Sequence, residues 1–183
     1  KYKLMYMKYV NALSIFFGLN VLCSAQSGLP SDPETNKITW QETIPLDSVT
    51  RDEMFDRCKR WLAHYYKIES FSIDSKVSYT VATKADFKIS LTYDFKYKSQ
   101  NNINYTITLN QKEGKYRVTI TDFKFYKVSS GANTQILLEQ AYAKMTSQNK
   151  GETTSQVKAE IEKVLEDLKI FMVKGYVKTQ DDW

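Results

Sequence analysis

Between Phe71 and Lys127 apolar and polar residues alternate with a period of two, and on either side the period lengthens to that of a helix. The cleanest alternation is in "FKISLTYDFKYK". Phe87, Ile89, Leu91, Tyr93, Phe95 and Tyr97 share one parity, and Lys88, Ser90, Thr92, Asp94, Lys96 and Lys98 share the other. This predicts a half-buried strand with rings toward a core and lysines toward water. Upstream, "FSIDSKVSYTVAT" places Val77, Tyr79 and Val81 on one side. Downstream, "SQNN" predicts a turn, Ile103, Tyr105, Ile107 and Leu109 a further strand, and "QKEG" a tight hairpin around Gly114. The return strand, "YRVTITDFKFYK", directs Tyr116, Val118 and Ile120 one way, but Phe123 and Phe125 have the opposite parity. One residue near Asp122 has slipped the phase, which predicts a bulge or bend there.

Two helical patterns flank these strands. In "TRDEMFDRCKRWLAHYY", Met54, Cys58, Trp61 and Tyr65 recur at helical spacing, widened by Phe55, Leu62 and Tyr66. Thr50 with Glu53 three residues on predicts a capping box at its start. Before it, "NKITWQETIP" alternates as a first strand. After the strands, "ANTQILLEQAYAKMTSQNKG" reads as a helix stopped by Gly151. "TTSQVKAEIEKVLEDLKIFMVKGY" then carries a stripe of Val157, Ile161, Val164, Leu168 and Phe171. The stripe must be covered either by the protein's own sheet or by the same helix of a second chain. It lasts little more than two heptads, fewer than the three or four that mark a coiled coil, so docking on the sheet is expected. The order strand, helix, antiparallel strands, helix predicts an α+β domain of about five strands with helices on one face.

The expected organisation has a signal peptide over 1–25 and a flexible linker over 26–36. An α+β domain follows over 37–128, a C-terminal helical segment over 129–175 and a polar tail over 176–183. The leader is read from a basic "KYKLMYMK", an apolar "YVNALSIFFGLNVL" and small residues at Cys23 and Ala25, with cleavage expected between Ala25 and Gln26. The protein is therefore expected in the periplasm or cell envelope, or secreted, with no transmembrane segment in the mature chain. Lipid attachment at Cys23 is the minor alternative, disfavoured by bulky Leu22.

Composition changes this picture in two places. The 13 tyrosines and 9 phenylalanines favour β structure. Loss of Lys1, Lys3 and Lys8 with the leader lowers the formal net charge from +5 to +2. That charge gives no general case for nucleic acid, and the separation of rings from lysines removes the stacking platform a single strand needs. No specific nucleic-acid partner is expected.

Catalytic chemistry finds few residues to work with. Outside the leader there is one histidine, His64, and one cysteine, Cys58, and six positions along a helix turn them to different sides. Neither a metal site nor a cofactor is expected, for no glycine-rich phosphate cradle or nucleophile elbow is present. Asp74, Asp86, Asp94 and Asp122 lie on or beside strands, and a pair of them is the one arrangement a hydrolase would use.

The segment "ITWQETIPLDSVTRDEMFDRCKRWLAHYY", with strands ending in "GKYRVTITDFKFY", resembles the Bacteroidota domain of unknown function 4468 family. The resemblance runs from about Ile38 to Tyr126. Its most specific parts are Lys59-Arg60-Trp61-Leu62, Tyr116-Arg117 and Thr121-Asp122-Phe123. It implies a TBP-like fold, a curved antiparallel sheet backed by helices, and no catalytic residue.

The leading expectation is a non-catalytic module that binds an envelope protein or a small ligand between sheet and helices. The alternative is a hydrolase using strand-borne carboxylates. The expected lining is Tyr93, Phe95, Tyr97 and Tyr105, and Phe123 and Phe125 are candidates for a surface pair beside Lys124 and Lys127. For each ring taken singly, core remains the default reading.

Overall fold

The structure, a computed structural model, describes residues 28–93, 97–129 and 132–175. The leader, Cys23, Asp94, Phe95 and the tail from 176 lie outside the described residues. The elements run β1 (Trp40–Pro45), α1 (Arg51–Tyr66), β2 (Ile73–Ser75), β3 (Thr80–Tyr93), β4 (Tyr97–Lys112), β5 (Lys115–Ser129), β6 (Ala132–Leu137), α2 (Leu138–Lys144) and α3 (Ser147–Lys174). Every strand pair is antiparallel, in the order β1-β5-β4-β3-β2. β6 pairs with the second half of β5, beyond the stretch that β1 pairs. This is the α+β sheet-and-helix architecture that the pattern predicts, with a sixth strand beside the expected five.

The α1 helix starts where expected. The Thr50 hydroxyl accepts from the Glu53 amide at 3.3 Å, but the Glu53 carboxylate does not return to close the box. It accepts instead from Arg57 and Arg60, at 2.9 and 3.0 Å. Met54, Phe55, Cys58, Trp61 and Leu62 are buried, and Lys67 ends the helix in a left-handed conformation. The stripe of α3 docks on the sheet: Val157, Ile161, Val164, Leu168 and Met172 are all fully buried. Phe171 is only half-buried, because successive steps of four rotate the buried face onto Met172.

Between α1 and α3, Trp61 Nε1 donates to Asp167 at 2.7 Å, and Arg57 Nη1 donates to the Met172 carbonyl at 2.7 Å. α3 also covers the free edge of β3. The Gln156 amide exchanges two 2.8 Å hydrogen bonds with the Ser90 backbone, and Glu152 accepts from the Thr92 amide at 2.8 Å. Side chains thereby occupy an edge that would otherwise template further strands.

Five details differ from the pattern. Residues 28–36, expected as linker, hold a turn in which Asp32 accepts from the Glu34 and Thr35 amides, and Ser31 bridges to Ile38. Val77 stands at a turn and is 97% exposed, since β3 begins only at Thr80. "SQNN" is inside β4, whose pairing with β3 opens at Tyr93↔Tyr97. Ala132–Leu137 is a strand rather than helix, because β5 beyond Ile120 has no partner from β1 and takes one from β6. Gly151 does not stop a helix but lies within α3, which Thr146 caps by accepting from the Asn149 amide.

The phase slip at Asp122 is a bulge. Thr106 pairs Thr121 and Asn104 pairs Lys124, so Asp122 and Phe123 together oppose Tyr105. Asp122 takes φ 55, in the left-handed region, and its carboxylate meets Lys37 at 2.7 Å. The extra residue turns Phe123 and Phe125 back to the core face, where they are 0% and 4% exposed. The opposite parity is thus the mark of the bulge, and no surface pair of rings forms beside Lys124.

Candidate functional site

The stripe of α3 is fully buried against the sheet, and a space open to a ligand lies at the margin of this interface. A cleft of about 480 Å³ opens where the C-terminal end of α1 (Tyr65, Tyr66 and, just beyond, Ile68) faces the edge of β3 and the side of α3. Lys84, Ala85 and Asp86 of β3, Tyr105 of β4, and Glu160 and Lys163 of α3 complete it. β2 pairs with β3 only as far as Ala82, which is why the β3 edge is open here.

The tyrosines are set by an aromatic run that starts in the helix and ends in the sheet. Tyr65 stacks on the buried Trp61 with centroids 5.1 Å apart and meets Tyr66 edge-on at 4.9 Å. Tyr66 meets Tyr105 edge-on at 6.5 Å, and Tyr105 in turn stacks on Phe123 at 5.7 Å. The Tyr66 and Tyr105 hydroxyls are 2.9 Å apart, a hydrogen bond in which either can donate. Burial raises both hydroxyls well above the usual tyrosine range, so both stay neutral. Tyr65 is half-buried and is also raised, first by burial and then by the carboxylates of Glu160 and Asp167. The cleft therefore joins a fixed ring surface to neutral hydroxyls and to side chains of both charges, Lys84 and Lys163 against Asp86 and Glu160.

Of the expected lining residues that the structure describes, Tyr105 lines this cleft and Tyr93 and Tyr97 do not. Tyr93 is half-buried and Tyr97 is 72% exposed beside it across β3 and β4, away from the cleft. Phe123 contributes from beneath, as the ring on which Tyr105 rests, and Phe125 belongs to the core. Asp74 is held by Lys59 and Asp122 by Lys37, while Asp86 accepts from Asn102 Nδ2 at 3.2 Å and shares the cleft with Glu160. Tyr65 and Tyr66 belong to the α1 apolar stripe. The signal that marks them is position: the last turn of an amphipathic helix is where a stripe runs past the sheet that covers it.

Elsewhere, His64 is exposed and Cys58 fully buried, its thiol pushed up to about 12 by desolvation. Among the described residues no group of three or more His, Cys, Asp or Glu is placed to hold a metal ion, and no helix is long and apolar enough to cross a membrane.

Comparison with known proteins bears on the fold. The family model described as "Domain of unknown function (DUF4468) with TBP-like fold" matches residues 40–126. The crystal structure of a DUF4468 family protein from Bacteroides ovatus superposes with a TM-score of 0.64 at 13% identity, covering 85% of this chain and 95% of that one. That of a TBP-like protein from Parabacteroides distasonis gives 0.57 at 12% identity, covering 76% and 96%. A search of curated proteins gives no match.

Proposed function

For a chain that belongs to the DUF4468 family of TBP-like fold, we propose a non-catalytic binding module of the cell envelope that takes a small polar ligand in the tyrosine cleft. One observation carries the reading: the half-buried Tyr65 ring is backed by Trp61 and set beside the Tyr66–Tyr105 hydroxyl pair, in a cleft of about 480 Å³. Ligand clefts are commonly of about 300–1,000 Å³, and a ring held in place gives contact area at low entropic cost. The balanced charges favour a hydroxyl-rich or zwitterionic molecule over an ion of one sign, and a saccharide has the ring faces and hydroxyls to use both walls. Saturation-transfer NMR against neutral saccharides and amino acids should give signals that Tyr65→Ala abolishes while the fold persists. Signals unchanged in that variant, or none with any member of the panel, remove the cleft as the binding site.

Asp86 and Glu160 in one cleft favour a second reading, hydrolysis by paired carboxylates. Chromogenic glycosides separate the two. Turnover that Asp86→Asn and Glu160→Gln each abolish makes the protein an enzyme, and binding without turnover keeps the module.

Export is part of the proposal and is supported by the basic, apolar and small-residue order of residues 1–25. Intact-mass measurement of protein made in a Gram-negative host should find a chain starting near Gln26. A mass that includes residues 9–25 rules this out, and a lipid adduct on Cys23 points to the lipoprotein route.

A further inference from the structure

A second cavity, of about 380 Å³, lies at the opposite end of the same strands, around the β4–β5 hairpin. Its lining is of one sign. Arg51 from the first turn of α1, Lys112 from the end of β4, and Lys115 and Arg117 from the start of β5 all face it, together with the neutral Thr43, Ser78 and Asn110. No Asp or Glu is among the lining residues.

Of the nearby carboxylates, Asp52, Glu53 and Glu42 are engaged elsewhere, while Glu113 of the hairpin turn and Asp47 beside Gly114 make no ion pair with the lining cations. Asp52 accepts from the Tyr79 hydroxyl at 2.8 Å and pairs with Lys76 at 3.1 Å. Glu53 holds Arg57 and Arg60, and Glu42 meets Lys169 at 2.7 Å. Among the described residues none of the four lining cations has a carboxylate within ion-pair distance. Two of them are nevertheless fixed. Arg51 lies 3.7 Å over the Tyr79 ring and donates through Nε to the Gln111 carbonyl, while Arg117 donates through Nε to Thr43. Tyr79 itself is held at φ 49, a left-handed conformation unusual for a bulky residue, and its carbonyl accepts from the Gln111 amide at 3.0 Å. Both guanidinium groups are anchored by Nε, which leaves their terminal nitrogens to reach a ligand.

We propose that this cavity binds an oxyanion group, phosphate or sulfate, carried by a small molecule or a headgroup. Four like charges around one cavity repel one another, and an anion relieves that repulsion. A guanidinium fork matches two oxygens of a tetrahedral anion, and lysines add point charge. The volume exceeds that of the anion alone, so part of the ligand that carries it enters too. This site differs in charge from the tyrosine cleft and stands independently of it.

The test uses the full chain and inorganic phosphate and sulfate as probes, read by thermal shift and calorimetry against sodium chloride at matched ionic strength. Phosphate or sulfate should raise the melting temperature in a saturating way that chloride does not reproduce. The double variant Lys115→Gln/Arg117→Gln should weaken that binding about tenfold or more, as expected for losing charge-assisted hydrogen bonds. Lys112→Gln, which removes one point charge and no anchored guanidinium, should weaken it less, and Lys84→Gln/Lys163→Gln in the other cleft should leave it unchanged. Sedimentation with phosphatidylglycerol vesicles separates the sources. Vesicle binding that phosphate competes away assigns a headgroup, and phosphate binding without vesicle binding assigns a soluble ligand. Equal effects of all three salts, or equal phosphate affinity in the wild type and the double variant, overturn the proposal.

Discussion

Trp61→Ala lowers the melting temperature by roughly 6–20 °C. The range follows from about 3–5 kcal/mol for truncating a buried tryptophan and about 2–4 °C per kcal/mol in a chain of this size. Trp61 is 0% exposed and is the piece of α1 that both helices and the aromatic run share. Its removal leaves a cavity under Tyr65 and Tyr66 and takes the indole donor from Asp167. Trp61→Phe separates these effects, since it keeps most of the ring contact and loses only the N–H. Asp167 is exposed and recovers water, so this variant should lose about 1 kcal/mol, near the low end for such a bond. Leu168→Ala, on the facing helix, should cost about 2–5 kcal/mol with the protein still monomeric. A large loss for Trp61→Ala but none for Leu168→Ala would mean that α3 is not part of the cooperative unit. Dissociation of a dimer by Leu168→Ala would give the α3 stripe to a second chain.

The same helices show what the chain's pattern can and cannot convey. Local signals were sufficient where one element supplies its own reasons: Thr50 caps α1, Gly114 turns the hairpin at φ 69, and the parity slip at Asp122 is a bulge. At φ 69 the turn disfavours side chains by conformation, and a Cβ at Gly114 would also have to push aside the Asp47 carboxylate, whose Oδ1 would lie 2.5 Å away. The pattern misleads where a distant partner decides. "ANTQIL" has no alternation of its own and becomes β6 because the bulge leaves the second half of β5 to be paired. Gly151 costs α3 about 1 kcal/mol, less than the packing of Thr153, Thr154 and Val157 returns. Among the described residues the cleft was legible at Tyr105, as an expected lining ring, and at Asp86, as a candidate carboxylate. Its other walls come from residues about 20 and about 100 positions away from one another, and no local period brings Tyr65, Asp86 and Glu160 together. Three of the hairpin cavity's cations, Lys112, Lys115 and Arg117, are neighbours in sequence, and only the fold adds Arg51 to them and leaves all four without a carboxylate at ion-pair distance among the described residues.

Alkaline solution should unfold the protein in one cooperative step, with far-UV dichroism lost together with the ionisation of three tyrosines. Burial raises the hydroxyls of Tyr66, Tyr105 and Tyr116 well above the usual tyrosine range, and lifts the Cys58 thiol to about 12. In the unfolded chain these groups ionise near about 10 and about 8.5. Folded pKa values above the unfolded ones mean that the native state holds more protons at high pH. Their contribution is therefore fully present below the unfolded values and falls as pH climbs through the gap. Each such group removes roughly 1.4 kcal/mol per pH unit within that window, so above pH 10 the three tyrosines and the thiol act together. Below about pH 8 all four are protonated in both states and none makes stability vary with pH. Tyr116 gives the sharpest check, because its hydroxyl is buried without a hydrogen-bond partner, whereas Tyr66 and Tyr105 satisfy each other. Tyr116→Phe should leave stability at pH 7 equal or higher and move the alkaline midpoint upward. Tyr66→Phe should instead cost about 1 kcal/mol at pH 7, since the Tyr105 hydroxyl loses its partner. Absorbance at 295 nm followed alongside dichroism measures both. Ionisation of all tyrosines while the dichroism stays native would show that these three rings are open to solvent and that the aromatic run beneath the cleft is not packed.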